Sequence, residues 1–296
     1  MDEIVMKGMG WLRDLPDRRD LTLDIEKNKN KGIKDMVKGL GIAEPVSDVQ
    51  SSVDLSKDCS PIEDQMQIGS CTANAGVGML EYFERKAFGK HIDASRLFLY
   101  KATRNLMQVT GDTGAYLRSM MGAMTIFGVP PEKYWPYTDK KPDFDKEPPA
   151  FCYGFGENYK AVQYVRLDPE GTPKDVLLDR IKTNLAAGLP SVFGFTVYDS
   201  IWQAKDGKIP YPCANEKVDG GHAIVSVGYD DSLKIKNPGC DIETTGAFLI
   251  RNSWGIKWGN KGYGWLPYDY VLKGLADDWW TILRAEWIET GQFGLE

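Results

Sequence analysis

The periodicity of the apolar residues changes once along the chain, and that change limits the fold more than any other feature. Between Cys71 and Gly128 the spacing is helical three times over. Ala75, Met79 and Phe83 recur at i, i+4 and i+8, flanked by Gly76 and Leu80, with Gly89 as the stop. A second pattern, DASRLFLYKATRNLM, carries Asp93 or Ser95 as its N-cap and Leu97, Tyr100 and Leu106 on one side. A third, GAYLRSMMGAMTIFG, ends at Gly128 and the prolines of VPPEKYWPY. From Tyr159 onward, strand-like runs take over: YKAVQYVRL, PSVFGFTVY, HAIVSVGYDD, GAFLIRNSW and GYGWLPYDYV. One helical pattern interrupts them, TPKDVLLDRIKTNLAAG, with Thr172 as cap, Pro173 at the first position and Gly188 at the end. Helices first and strands later predict an α+β chain or two lobes, not a parallel βαβ sheet.

The 296 residues, 42% of them hydrophobic, suffice for a substantial core. The net charge of −6 has the wrong sign for a nucleic-acid binder. No apolar run approaches the roughly 18 residues of a membrane span, and MDEIVMKGMGW has no apolar h-region of a signal peptide. Five cysteines without a CxxC argue against a disulfide framework or zinc site and for a reducing, cytoplasmic compartment. No cofactor is expected. Only two histidines occur, His91 and His222, so any mechanism needing an imidazole must use one of them. His91, in FGKHIDAS, reads as a loop or surface residue.

Residues 1–50 are charged and irregular, with weak helical spacing at Ile33, Met36, Val37 and Leu40. They read as an arm: a propeptide or lid bringing Trp11 and LPDRRD near a cleft, or a plain surface extension. The main domain covers 51–296, helical over about 51–160 and strand-rich over about 161–296. Trp279, Trp280 and Trp287 are expected in the core.

Cys71 opens a helical pattern behind the turn IGS, where free N–H groups and the helix dipole favour thiolate over thiol. Alone it would read as a buried structural cysteine. His222, after two glycines and at the start of an apolar strand, is the available base for a nucleophile. Asn252 offers a neutral carbonyl that can orient an imidazole, Trp254 can shield that bond from water, and Gln65 with the Cys71 N–H can form an oxyanion hole. Cys59, Cys152, Cys213 and Cys240 lack a flanking base and are expected to be non-catalytic.

At these residues the chain resembles the papain-like cysteine peptidases. The resemblance runs in order through VDL at 53–55, Gln65, GSC at 69–71, GHA at 221–223, NSWG at 252–255 and WGNKGYGW at 258–265. It implies a helical lobe and a strand-rich, β-barrel-like lobe with a cleft between them, and Cys71 poised as an anion at the head of the central helix. It implies the roles of nucleophile for Cys71, general base and acid for His222, orienter for Asn252 and oxyanion donor for Gln65. The implied activity is peptide hydrolysis through a thioester acyl-enzyme, as an endopeptidase. The alternatives are an amidase or aminopeptidase, or an idle homologue acting as a binding module. Implied partners are peptide or protein substrates and a proteinaceous cysteine-protease inhibitor, and a zymogen form is implied. The substrate-binding set expected is Gly69, Ser70, Gly114, Ala115, Gly194, Gly220, Gly221, Ala223 and Trp254. Gly114, Ala115, Gly194, Gly220 and Ala223 would line a roomy apolar pocket for a bulky hydrophobic side chain. Thr72 replaces the aromatic that usually follows the nucleophile, and Ile68 replaces a common disulfide cysteine. Cys213 echoes a family disulfide position, with no partner evident from sequence.

Overall fold

The computed structural model describes residues 7–24, 35, 37–42, 44 and 49–287. Ile33, Met36 and the side chain of Trp287 lie outside that set. The first long element is helix α1, Cys71–Phe88. Its opening turns carry Ala73, Ala75, Gly76 and Gly78, and every residue from Cys71 to Tyr82 is buried. The small residues serve close approach. A Cβ at Gly78 would collide with the Arg251 guanidinium, which donates to the Ser60 hydroxyl at 2.9 Å. Gly89 closes the helix in the left-handed conformation, φ +71°, its N–H bonded to the Arg85 carbonyl.

Helix α2, Arg96–Leu106, is capped by Ser95, whose hydroxyl accepts the Phe98 N–H at 3.1 Å. Helix α3, Leu117–Ile126, follows, and Gly128 turns the chain at φ +66°. Helix α4, Ala150–Gly156, was not anticipated. Helix α5, Lys174–Ala186, stands where the sequence placed it, but Thr172 does not cap it. Its hydroxyl donates to the Pro169 carbonyl instead, and Pro173 takes the capping position.

The strands are β1 (Trp11–Leu12), β2 (Ser52–Asp54), β3 (Ala115–Tyr116), β4 (Tyr159–Arg166), β5 (Ser191–Tyr198), β6 (Val218–Lys236), β7 (Glu243–Arg251), β8 (Tyr263–Pro267) and β9 (Ala276–Trp287). The large sheet runs β4-β9-β5-β6-β7-β8, with β2 beside β6. Its ends do not pair, so it is an open α+β sheet and not a closed barrel. Short helix α6, Asp269–Leu272, replaces the second half of the run GYGWLPYDYV. Strand β9, which the sequence reading treated only as aromatic core, lies inside the sheet between β4 and β5. Trp279 stacks on Phe193 at 3.8 Å between ring centres, and Trp280 is fully buried.

Two apolar cores result. One joins α1, α2 and α3 to one face of the sheet, and the other packs α5 and α6 with Leu23, Val37 and Ile42 on the opposite side. Cys213 and Cys240 form a disulfide across 27 residues. This corrects the expectation that the chain lacks disulfides: the β6–β7 turn packs on the loop ahead of β6, where Asn237 Nδ2 donates to the Tyr211 carbonyl at 2.9 Å. Cys59, Cys71 and Cys152 are free and buried.

Candidate active site

Four loops and element ends converge on the first turn of α1. Ser70 precedes the helix without a side-chain cap, so the first N–H groups are left free around Cys71. His222 lies in β6 opposite Phe195 of β5. Its Nε2 meets Asn252 Oδ1 at 2.8 Å, just past the end of β7. The same oxygen accepts the Ser253 N–H at 2.8 Å, which identifies it as carbonyl and makes Nε2 the protonated ring nitrogen. Nδ1 then carries the lone pair, and it is buried without a hydrogen-bond partner. Trp254 stacks on the His222 ring at 4.6 Å and is itself stacked by Trp202 at 5.3 Å. It therefore walls the His222–Asn252 bond from water and does not line the cleft.

Gln65 is held by the loop that carries Asn252. Its N–H donates to the Ser253 carbonyl at 2.8 Å, and Ser253 Oγ donates to Gln65 Oε1 at 2.6 Å. This fixes the amide so that Nε2 faces the cleft, where it donates to the Gly8 carbonyl at 2.8 Å. Ser70, expected among the substrate contacts, turns away: its hydroxyl pairs with Tyr137 at 2.6 Å and accepts from Asn74 at 3.0 Å.

The cleft is filled by the chain's own arm. Strand β1 pairs in parallel with β3, and Ala115 N–H donates to the Gly10 carbonyl at 2.7 Å. Gly8 lies against Ile68, Gly10 against Gly69, and Met9 against Gly220. The Trp11 indole lies directly on the Cα of Gly194, and a Cβ at Gly221 would stand 2.9 Å from its Cε3. A Cβ at Gly114 would strike the Gly10 carbonyl. The glycines expected to receive a substrate therefore receive residues 8–11.

This occupancy corrects one sequence expectation. Cys71 and His222 are both fully buried. Burial pushes the thiol up to about 11, although the N–H groups of Ala223, Gly10, Thr72 and Cys71 itself favour the anion. Burial pushes the imidazole down to about 4 against the Asn252 hydrogen bond. With the arm in place burial favours the neutral form of each group.

The arm is anchored by a charged cluster that sequence reading missed. Trp11 Nε1 donates to Asp278 Oδ2 at 3.0 Å, and the Asp14 N–H donates to the same oxygen at 2.8 Å. Asp14 Oδ2 accepts from Trp280 Nε1 at 3.2 Å and from the Arg118 N–H. Arg166 reaches Asp278 at 2.7 Å and Asp168 at 3.0 Å, and Arg118 holds Asp20 at 2.7 Å. The one sequence signal for Asp278 was the acidic pair in GLADDWW, an abrupt charge at the mouth of an aromatic strand.

Comparison with known proteins identifies the family. Residues 49–275 match the papain family cysteine protease profile. An uncharacterised peptidase C1-like protein of Acanthamoeba polyphaga mimivirus is 33% identical over 287 residues, 94% of this chain and 87% of that protein. Cathepsin K of Gallus gallus is 28% identical over 215 residues, and the match spans 54% of its length. Among solved structures, xylellain, a cysteine protease from Xylella fastidiosa, superposes with a TM-score of 0.72 at 32% identity. That match covers 96% of this chain and 97% of xylellain. The chain belongs to the papain family of cysteine proteases.

Proposed function

We propose that the chain hydrolyses peptide bonds through Cys71, His222 and Asn252, with Gln65 and the Cys71 N–H as oxyanion donors, and that residues 7–24 hold it in a self-inhibited form. The observation that carries this reading is the bond from His222 Nε2 to Asn252 Oδ1. It leaves Nδ1 as the one ring nitrogen able to take the thiol proton.

In the reaction, the Cys71 proton passes to Nδ1 and the sulfur attacks the substrate carbonyl carbon. The developing oxyanion takes the place now held by the Gly8 carbonyl on Gln65 Nε2. Nδ1 returns the proton to the leaving amine and a thioester remains. Water, deprotonated by the same nitrogen, then releases the acid. In the docked arm Gln65 Nε2 is already engaged by the Gly8 carbonyl, so a substrate must first displace that carbonyl.

An endopeptidase mode is supported by the arm's passage. It runs from Lys7, whose Nζ meets Asp64 at 2.8 Å, past the sulfur to Trp11 and Asp14, so a chain extends in both directions from Cys71. A proteinaceous inhibitor would have to displace the same segment. The test is hydrolysis of an internally quenched peptide by wild type and Cys71→Ala, with the products identified. Internal cleavage lost in Cys71→Ala is expected. Cleavage retained without the thiol, or release of only terminal residues, would overturn the reading.

A further inference from the structure

Resting on the peptidase reading, we propose that Asp278 makes the pocket now filled by Trp11 select a large substrate side chain carrying an N–H donor, indole or guanidinium, over a pure hydrocarbon of the same size. Of the expected apolar set, Gly194 lies on the indole and Ala115 pairs with Trp11, and Gly221 completes the contact. That set does not describe the polar group at the pocket's end. Asp278 is fully buried. One oxygen is taken by Arg166 Nη2 at 2.7 Å, and among the described residues the other receives only arm donors, Trp11 Nε1 at 3.0 Å and the Asp14 N–H at 2.8 Å.

Departure of the arm strips that second oxygen of both donors. A buried carboxylate oxygen left bare is costly, and a substrate that restores an N–H recovers what a hydrocarbon cannot. Gly194 and Gly221 place backbone without side chains against the indole. The arm therefore displays the chemistry the pocket favours, a flat side chain whose far edge donates one hydrogen bond.

The test uses full-length wild type and three fluorogenic peptides differing at one position. That position carries tryptophan, its benzothienyl isostere without the N–H, or phenylalanine. Ratios of kcat/KM within one protein cancel the fraction of molecules whose arm is docked. Tryptophan should exceed the isostere about tenfold or more, the scale of one hydrogen bond to a charged group. The ratio should fall to near one in Asp278→Ala. In a second pair, the preference for arginine over norleucine should drop in Asp278→Asn, which keeps the shape and loses the charge. Equal rates for tryptophan and the isostere in wild type overturn the inference without recourse to any variant, as does a ratio unchanged by Asp278→Ala. Failure to cleave any of the peptides, in wild type and equally in Gly10→Ala, whose added Cβ collides with the Gly69 backbone and lifts the arm, would overturn the peptidase reading and this inference with it. Cleavage without discrimination overturns this inference alone.

Discussion

Gly10→Ala in the arm should switch the full-length protein on. The added Cβ would stand 2.7 Å from Gly69 Cα and closer still to the Gly69 carbonyl, so the collision is with backbone and not with a flexible side chain. Gly69 has little room to yield, since its N–H is held by Asp112 Oδ1 at 2.8 Å and it leads directly into α1. The arm must lift. Lifting breaks the Ala115 N–H bond to Gly10, the Gln65 bond to Gly8 and the Trp11 bond to Asp278. At about 1 kcal/mol each, these amount to about 3 kcal/mol of docking energy, or about a hundredfold in the accessible population. The assay is the second-order rate of labelling by a peptidyl epoxide, measured alongside peptide hydrolysis. Gly39→Ala is the control, because a Cβ there meets nothing within 4 Å. An unchanged labelling rate in Gly10→Ala would show that the docked arm does not limit access to Cys71, and the reasoning would fail.

Three further outcomes follow from the same contacts. Asp14 is pushed up to about 7 by burial first and by Asp278 second, against Arg118, Arg166 and the Trp280 N–H. A group whose docked pKa is raised supports docking most below its free value of about 3.8 and loses that support as pH rises through about 7. Self-inhibition should therefore weaken toward alkaline pH. The ratio of labelling rates, wild type over Asp14→Asn, cancels the thiol's own titration and should climb between pH 5 and 8, whereas a flat ratio would contradict the anchor. Asn252→Ala should lower kcat about a hundredfold with little change in KM, because the His222 ring loses its orienting acceptor. A KM effect alone would place Asn252 in binding. Cys213→Ser with Cys240→Ser should cost about 2 to 4 kcal/mol in a denaturant titration while the arm-free turnover persists. Unchanged stability would mean that the bridge contributes nothing to the fold.

Three members of the proposed catalytic set were legible because each sits beside a local signal. Cys71 opens a helix behind a glycine turn, His222 follows two glycines into a strand, and Asn252 ends one. The helices α1, α2, α3 and α5 were legible for the same reason, since their caps and stops are chain-local. What was not legible depends on distant pairing. Strand β9 reads as three tryptophans until β4 and β5 flank it, and Cys240 has no evident partner until the β6–β7 turn packs on the loop ahead of β6. The arm's KGMGW is unremarkable in isolation. Only the apposition of Gly8 to Ile68 and of Gly10 to Gly69 shows why glycine alternates there. The helix-dipole argument counts the N–H groups that favour the Cys71 anion, whereas burial, which works against it, depends on how distant segments pack over the site.

The most direct measurement is mass-spectrometric mapping of the epoxide adduct over time in wild type and Gly10→Ala. One adduct is expected, on Cys71, slow in the first protein and fast in the second, with Cys59 and Cys152 unmodified. An adduct on either of those buried thiols, or none on Cys71 once the arm is lifted, would contradict the assignment of the nucleophile.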